Sequence, residues 1–329
     1  MTILIAGGAG YIGSHTVRTL LEAGEDVAVL DDLSEGHRET VPGGTPLIEV
    51  DLKDRAATLD ALGEVAPEAV FNFAASCYVG ESVEEPGKYY QQNLLTTLNL
   101  LEGMRQAGCG MFVLSSTCAV YGEPDRIPIT EDLPKAPVNP YGRTKLYCEG
   151  ALADYHRAHG MRSVSLRYFN AAGAHPSGEL GEHHEPETHL IPLVLQVALG
   201  QRDSIKVFGS DYPTPDGTCI RDYIHVIDLA QAHVLGLKAL REGRAEVAAF
   251  NLGNEQGHSV RQVIEEARRV TGHEIPAVDV ERRAGDPPKL VGSSALAREE
   301  LGWSPRYGDL GSILETAWNW HSKHPEGYA

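Results

Sequence analysis

The chain has 329 residues, 42% of them hydrophobic and 22% charged, the balance of a globular protein of about two domains. Its formal net charge of −18 at pH 7 opposes non-specific binding to nucleic acid or to an anionic membrane, and no apolar run approaches the roughly 18 residues of a membrane span. No nucleic-acid or membrane partner is therefore expected, although a few arginines and a helix N-terminus can hold a small anion.

Residues 1–6 have no basic stretch and run straight into glycines, which argues against a secretory signal and for a cytoplasmic protein. Cys77, Cys109, Cys118, Cys148 and Cys219 are odd in number and never at Cys-x-x-Cys spacing, so free thiols in a reducing compartment are expected.

Residues 3–6 form an apolar run of strand length, and Gly7-Gly8-Ala9-Gly10-Tyr11-Ile12-Gly13 leads from it into an amphipathic stretch. Gly8, Gly10 and Gly13 match G-x-G-x-x-G, and Gly7, Gly10 and Gly13 match the looser three-spaced form. Strand, glycine turn and helix together predict a pyrophosphate at the helix N-terminus. A second strand over residues 26–30 ends in Asp31, about 20 positions on, where an acid binds the adenosine ribose hydroxyls and disfavours a 2′-phosphate. NAD is the expected cofactor.

Strands follow at residues 46–50, ending in Asp51-Leu52, at 69–73, ending in Ala74-Ala75, and at 111–114, ending in Ser115-Ser116-Thr117. A helix including residues 93–106 lies between the last two. Alternating β and α with apolar strands predicts an α/β fold, a Rossmann-type doubly wound parallel sheet. Ligands of such sheets bind beyond the carboxyl ends of the strands, where Gly7, Asp31, Asp51, Phe73 and residues 115–117 fall.

In Asn139-Pro140-Tyr141-Gly142-Arg143-Thr144-Lys145 a helix would place Tyr141 and Lys145 one turn apart on one face. A free tyrosine needs about 4 kcal/mol of phenolate stabilisation to reach a pKa near 7, which a nearby ammonium and a second cation can supply. Alone the spacing describes many solvated helix faces. With Thr117 at a strand end and the dinucleotide turn it forms a Thr, Tyr, Lys constellation.

The second half has less regular alternation and more glycine and proline, with helices expected at 190–200, 226–240 and 310–321. A smaller C-terminal α/β domain over 172–329 should follow a dinucleotide-binding domain over 1–171. His183, His184 and His189 lie beside acidic residues, but their spacing fits no helical pair and no cysteine joins them. A polar loop is expected there, and no metal site.

The glycine pattern, the Tyr-x-x-x-Lys pair and the preceding hydroxyl resemble the extended short-chain dehydrogenase/reductases. Phe73-Ala74-Ala75, Val79-Gly80-Glu81-Ser82, Ser115-Ser116-Thr117-Cys118-Ala119-Val120-Tyr121-Gly122, the Tyr141 segment and Leu166-Arg167-Tyr168-Phe169-Asn170 resemble more narrowly the UDP-glucose 4-epimerase family. So do Val207-Phe208-Gly209-Ser210-Asp211-Tyr212-Pro213-Thr214, Arg221-Asp222-Tyr223-Ile224-His225-Val226 and Arg282-Arg283-Ala284-Gly285-Asp286-Pro287, so the likeness spans nearly the whole chain.

The resemblance implies transient oxidation of a UDP-sugar at C4 with bound NAD, rotation of the 4-keto sugar and its reduction from the other face. Tyr141 would move the 4-hydroxyl proton, Lys145 would hold the nicotinamide ribose and lower the tyrosine pKa, and Thr117 would guide the 4-oxygen. Tyr11, Ile12, Asp32, Leu52, Ala74, Ala75, Ser115 and Tyr168 join the implied cofactor site. Phe169, Asn170, His189, Leu190, Lys206, Phe208, Arg221, Tyr223, Arg283, Asp286 and Leu290 make up the implied UDP-sugar site. A homodimer packed through helices of the dinucleotide domain, and segments crossing between the lobes, are implied as well.

Departures from the family pattern narrow these expectations. Cys77 stands where some members carry lysine, Asp32 and Glu35 where an amide is common, and His189 where an asparagine often meets the diphosphate. Leu290 falls at a gate that is tyrosine in members rejecting N-acetylated sugars and small in those accepting them. Cys118 and Ala119 stand where 4,6-dehydratases carry acids, which disfavours elimination at C6. Epimerisation of another UDP-sugar (N-acetylhexosamine, pentose or glucuronate), decarboxylation of UDP-glucuronate and a non-catalytic NAD or nucleotide-sugar-binding role remain as rivals.

Overall fold

The structure, a computed structural model, describes residues 1–283 and 287–328. Six strands, β1 (Thr2–Ala6), β2 (Asp26–Asp31), β3 (Leu47–Glu49), β4 (Ala69–Asn72), β5 (Met111–Thr117) and β6 (Arg162–Tyr168), join the later strand Val247–Asn251 in one sheet. Its order is Val247–Asn251, β6, β5, β4, β1, β2, β3, and every pairing is parallel. The order reverses beside β1, which is where such sheets open a crevice for ligands.

Both faces of the sheet are buried, as near-continuous apolar strands require. Successive side chains point to opposite faces. Ile3, Ile5, Val27, Val29, Phe71 and Val113 meet one apolar layer, which includes Val17 and Leu20 of helix α1 (Tyr11–Glu22) and Leu229 and Leu237 of the helix Val226–Arg241. Leu4, Ala28, Leu30, Val70, Phe112 and Leu114 meet the other, with Leu62, Leu100, Met104 and Leu152 from the helices Arg55–Val65, Thr96–Ala107 and Pro140–His159. The helix Val226–Arg241 and the strand Val247–Asn251 lie far beyond residue 171 in sequence, yet both build this first lobe.

The rest of the second half closes around a separate apolar cluster from the helices Leu190–Ala198, Val260–Thr271 and Leu310–His321 and the strand Ile205–Phe208. Two local differences from the sequence expectation matter for the site. β5 runs on through Ser115, Ser116 and Thr117, paired residue for residue with Leu166, Arg167 and Tyr168. The helix expected from residue 93 begins as a π-helical turn, Tyr90–Leu95, before the α-helix Thr96–Ala107. Hydroxyls of Thr96 and Thr97 donate back to the carbonyls of Gln92 (2.6 Å) and Asn93 (2.7 Å) there, and the Asn93 side chain is buried.

Candidate active site

Gly7 leaves β1 with φ +74°, and a Cβ on it would lie 2.4 Å from the Ala74 nitrogen. One on Gly13 would lie 2.0 Å from the Gly7 carbonyl oxygen, so turn and helix can meet only without side chains. Gly10 differs, its nearest neighbour standing 3.5 Å from the same position. That open side lies where α1 starts. Gly10 caps the helix with no side-chain bond and no acid in the first turn, so its first N–H groups face outward for an anion. Ile12 packs into the apolar layer below, and the Tyr11 hydroxyl donates to the Gly173 carbonyl at 2.6 Å.

Asp31 is buried at the end of β2, its two oxygens accepting from the backbone N–H groups of Ala9 and Leu33, each at 2.9 Å. Burial raises its pKa, and those N–H donors oppose the rise. Each oxygen keeps a lone pair for a ribose hydroxyl. Asp32 turns outward and caps its own turn through Ser34. Asp51 is exposed and accepts from the Lys53 N–H at 2.9 Å, while Leu52 is buried and its carbonyl holds Asn99 at 2.8 Å. Beyond β4 the N–H groups of Phe73 and Ala74 both donate to Ala6 (2.8 and 3.2 Å), which lays residues 73–75, Ala75 included, against the glycine turn. A side-chain-free turn, outward helix N–H groups and a carboxylate at the next strand end fit a dinucleotide.

Thr117 ends β5, where its hydroxyl accepts from the Ala119 N–H at 3.1 Å. Asn139 caps the helix Pro140–His159 by accepting from the Gly142 N–H at 2.8 Å, and Pro140 fits its first position. That cap places Tyr141 in the first turn and Lys145 one turn later. The Lys145 ammonium is buried and donates to the Ser115 carbonyl at 2.8 Å, and burial lowers its pKa. Ser115 also shares a short hydrogen bond with the Tyr168 hydroxyl.

Burial pushes the Tyr141 phenol well up, with Cys77 and Tyr168 adding to the rise and a hydrogen bond to Thr117 opposing it. The lowering expected from sequence concerns the cofactor-bound state, with Lys145 and the nicotinamide ring acting together. The chain's own groups hold the phenol protonated, and lowering it falls to Lys145 acting with a cationic ligand.

On the other side of Thr117, Leu290 packs with Phe169 against buried Cys118 and Tyr121. Leu290 pairs with Arg221 across short parallel strands, and Asn170 pairs with Tyr223 while its amide donates to the Asp222 carbonyl at 2.9 Å. Arg283 lies over the Phe208 ring, 4.0 Å from its centroid, and Lys206 is exposed on the same strand as Phe208. His189 precedes Leu190 at the start of the helix Leu190–Ala198. Asp286 lies outside the described residues.

Sequence reading missed three supports of this site. Buried Asn93 exchanges hydrogen bonds with the Ser76 backbone (2.8 and 3.1 Å) and donates to Thr144 (3.1 Å), tying the segment beyond β4 to the Tyr141 helix. Glu149 accepts from Ser116 at 2.6 Å and from Arg167, which in turn donates to Tyr121 at 2.8 Å, beneath Thr117. Buried Asp222, its pKa raised to about 6 by burial, accepts from the N–H groups of Asn254 (3.0 Å) and Gly292 (3.2 Å). Asn93 and Asp222 stood inside quoted stretches, yet nothing local marks a buried polar residue as a tether.

The fold is that of one class of proteins: the model of the NAD dependent epimerase/dehydratase family matches residues 3–253, and the chain belongs to that family. Within it, a UDP-glucose 4-epimerase of Corynebacterium glutamicum is 52% identical over 97% of this chain and 95% of its own length. A crystal structure of a UDP-glucose 4-epimerase matches with a TM-score of 0.97 at 52% identity, covering 100% of both chains. The UDP-glucose 4-epimerase from Brucella ovis in complex with NAD matches with a TM-score of 0.93 at 50% identity, over 96% of this chain and 97% of that one.

Proposed function

We propose that this chain interconverts UDP-glucose and UDP-galactose as an NAD-dependent 4-epimerase, and that Tyr141, Lys145 and Thr117 carry the proton chemistry. The observation that carries the reading is the convergence of Thr117, Tyr141 and Lys145 beyond β5, on the face where the glycine turn, Asp31 and Phe73 emerge. The chemistry that bound NAD supplies is reversible two-electron oxidation at the sugar C4.

Tyr141 takes the proton of the 4-hydroxyl and returns it after the sugar has turned. Thr117 shares that proton through its hydrogen bond to the phenol. Lys145, fixed by the Ser115 carbonyl, holds the ribose hydroxyls and supplies positive charge beside the phenol. Gly7, Gly10, Tyr11, Ile12 and Gly13 seat the pyrophosphate, and Asp31 with Asp32 selects an unphosphorylated ribose. Asp51, Leu52, Phe73, Ala74 and Ala75 frame the adenine side, and Ser115 and Tyr168 the nicotinamide side. Asn170, Leu190, Lys206, Phe208, Arg221, Tyr223, Arg283 and Asp286 hold the uridine diphosphate, with guanidinium groups suited to its oxygens and Phe208 to uracil. Phe169 and Leu290 border the sugar.

The enzyme works in the cytoplasm as a homodimer, with residues 1–171 forming most of the dinucleotide lobe and 172–329 most of the UDP-sugar lobe. Elimination at C6 is disfavoured, since Cys118 and Ala119 offer no acid beside Thr117, and burial keeps the Cys118 thiol protonated. Leu290, packed like Phe169 against the Cys118 and Tyr121 cluster, sets which substituents fit. The test is turnover across UDP-hexoses, UDP-N-acetylhexosamines, UDP-pentoses and UDP-glucuronate in the wild type and in Leu290→Tyr. The variant should keep UDP-galactose turnover within about threefold and lose at least about tenfold in the ratio for UDP-N-acetylgalactosamine. An unchanged ratio removes Leu290 as the gate.

A further inference from the structure

Far from β5 in sequence, the loop between Gly173 and the helix Leu190–Ala198 gathers Glu182, His184, Glu187 and His189 so that one ligand atom from each lies within 4.8 Å of every other. The Nδ1 atoms of both histidines face both carboxylates. His189 Nδ1 is 3.0 Å from Glu182 and 3.0 Å from Glu187, and His184 Nδ1 is 3.3 Å from Glu182 and 3.5 Å from Glu187. Ligands about 2.0–2.1 Å from a tetrahedral centre stand about 3.3 Å apart, so these histidine–carboxylate separations are of the size a zinc site requires.

Two further observations point the same way. His184 Nδ1 is buried and makes no hydrogen bond, although it is aimed at both carboxylates. The Glu182 and Glu187 side chains are each only 4% exposed and stand side by side, so the pair favours a bound cation.

We propose that Glu182, His184, Glu187 and His189 form a structural site for a divalent transition metal, with Zn²⁺ as its best occupant. Imidazole and carboxylate ligands in tetrahedral array suit zinc, and four protein ligands leave no open position for catalysis. This goes beyond the expectation of a polar loop without a metal. The helical-pair criterion failed because a loop, Glu-x-His-x-x-Glu-x-His, delivers the ligands. His183, adjacent in sequence, turns away to His37 (3.1 Å) and takes no part.

The metal's role is to fix a long loop that contacts both lobes. The loop's start is held by Tyr328, whose hydroxyl donates to Gly181 at 2.8 Å, and by Trp320, whose indole donates to Glu182 at 3.2 Å. Tyr11 of the glycine turn and Tyr78 pack edge-on against His184. At its far end His189 heads the helix Leu190–Ala198 without capping it, its ring committed to the cluster instead. The metal therefore orders the N-terminus that the proposed function assigns to the UDP diphosphate; only this last link rests on that assignment.

The test uses the full-length protein with its bound cofactor. After dialysis against metal-free buffer, elemental analysis should find about one zinc per chain. Cobalt(II) titrated into chelator-treated protein should give the intense visible absorption of a tetrahedral site. Chelation should lower Tm by about 5 °C, reversed by added Zn²⁺. His184→Ala and Glu182→Gln should lose the metal and the chelator response, and chelated wild type should show a raised KM for UDP-galactose with kcat little changed. Substoichiometric zinc with a weak, octahedral cobalt spectrum overturns the proposal, as does full zinc content in His184→Ala. Should that variant fail to fold, the wild-type cobalt spectrum decides alone. Failure of epimerase activity with zinc bound refutes the function and leaves the metal site standing.

Discussion

Tyr141 begins as a poor base, and its surroundings make it poorer, because burial raises the phenol and no cation leads the groups acting on it. Reaching a pKa near 7 from the ordinary tyrosine value takes about 4 kcal/mol, so protonation of Tyr141 should be tied to cofactor binding. The glycines divide by the same logic of space. Gly13→Ala would drive a methyl to 2.0 Å from the Gly7 oxygen, whereas Gly10→Ala meets nothing nearer than 3.5 Å. The first variant should lose folded yield or several degrees of Tm. The second should melt like wild type yet bind NAD at least about tenfold more weakly, because its methyl points where the pyrophosphate approaches. Melting curves and NAD titrations separate the two, and a Gly10→Ala protein with unchanged affinity would remove that residue from the cofactor site.

Among elements, α1 and the helix Val226–Arg241 cover one face of the sheet and share buried neutral histidines. His15 and His233 are wholly buried, and burial lowers the pKa of each from 6.5 to about 4. In the unfolded chain both titrate near 6.5. Stability from their neutral forms is thus complete above that pH and is lost as pH falls towards 4, by up to about 3 kcal/mol per histidine. Tm should fall steeply between pH 6.5 and 4.5, and His233→Phe, whose ring can keep the contact with Phe73, should flatten the slope. Equal slopes would contradict this account.

How far elements could be read from sequence follows from the same physics. β1, β2, α1 and the helix Leu310–His321 were legible because period and glycine chemistry are local. The π turn at 90–95 was not, since it depends on a partner, Ser76, that only the fold brings to Asn93. Nor was the sheet partner of Val247–Asn251, which pairs with β6 across some 80 residues of chain. At the site, strand-end residues and the Tyr141, Lys145 spacing could be read off, whereas the upward direction of the Tyr141 pKa needed burial, a property of the packed molecule.

At the scale of the whole molecule, the return of Val226–Arg241 and Val247–Asn251 to the first lobe binds the lobes into one unit, so a cut at residue 171 should leave neither fragment stably folded. Among the described residues no helix is long and apolar enough to cross a membrane. The exposed apolar side chains Val83, Leu95 and Tyr147 stand on adjacent elements of the dinucleotide lobe, the helices Val79–Glu84 and Pro140–His159 and the π turn Tyr90–Leu95. They fit the proposed dimer face. Sedimentation should give a dimer at micromolar concentration, and Leu95→Glu with Tyr147→Glu should give a monomer. A wild-type monomer at all concentrations would contradict the assembly.

The most direct test of the central claim is conversion of UDP-galactose by the protein as purified, with no NAD added, comparing wild type with Tyr141→Phe. UDP-glucose should form in the wild type until equilibrium, and the variant should bind the nucleotide sugar with nearly unchanged affinity while turning over at least about a thousandfold more slowly. Absence of UDP-glucose even when NAD is supplied, or comparable turnover in Tyr141→Phe, would contradict the account.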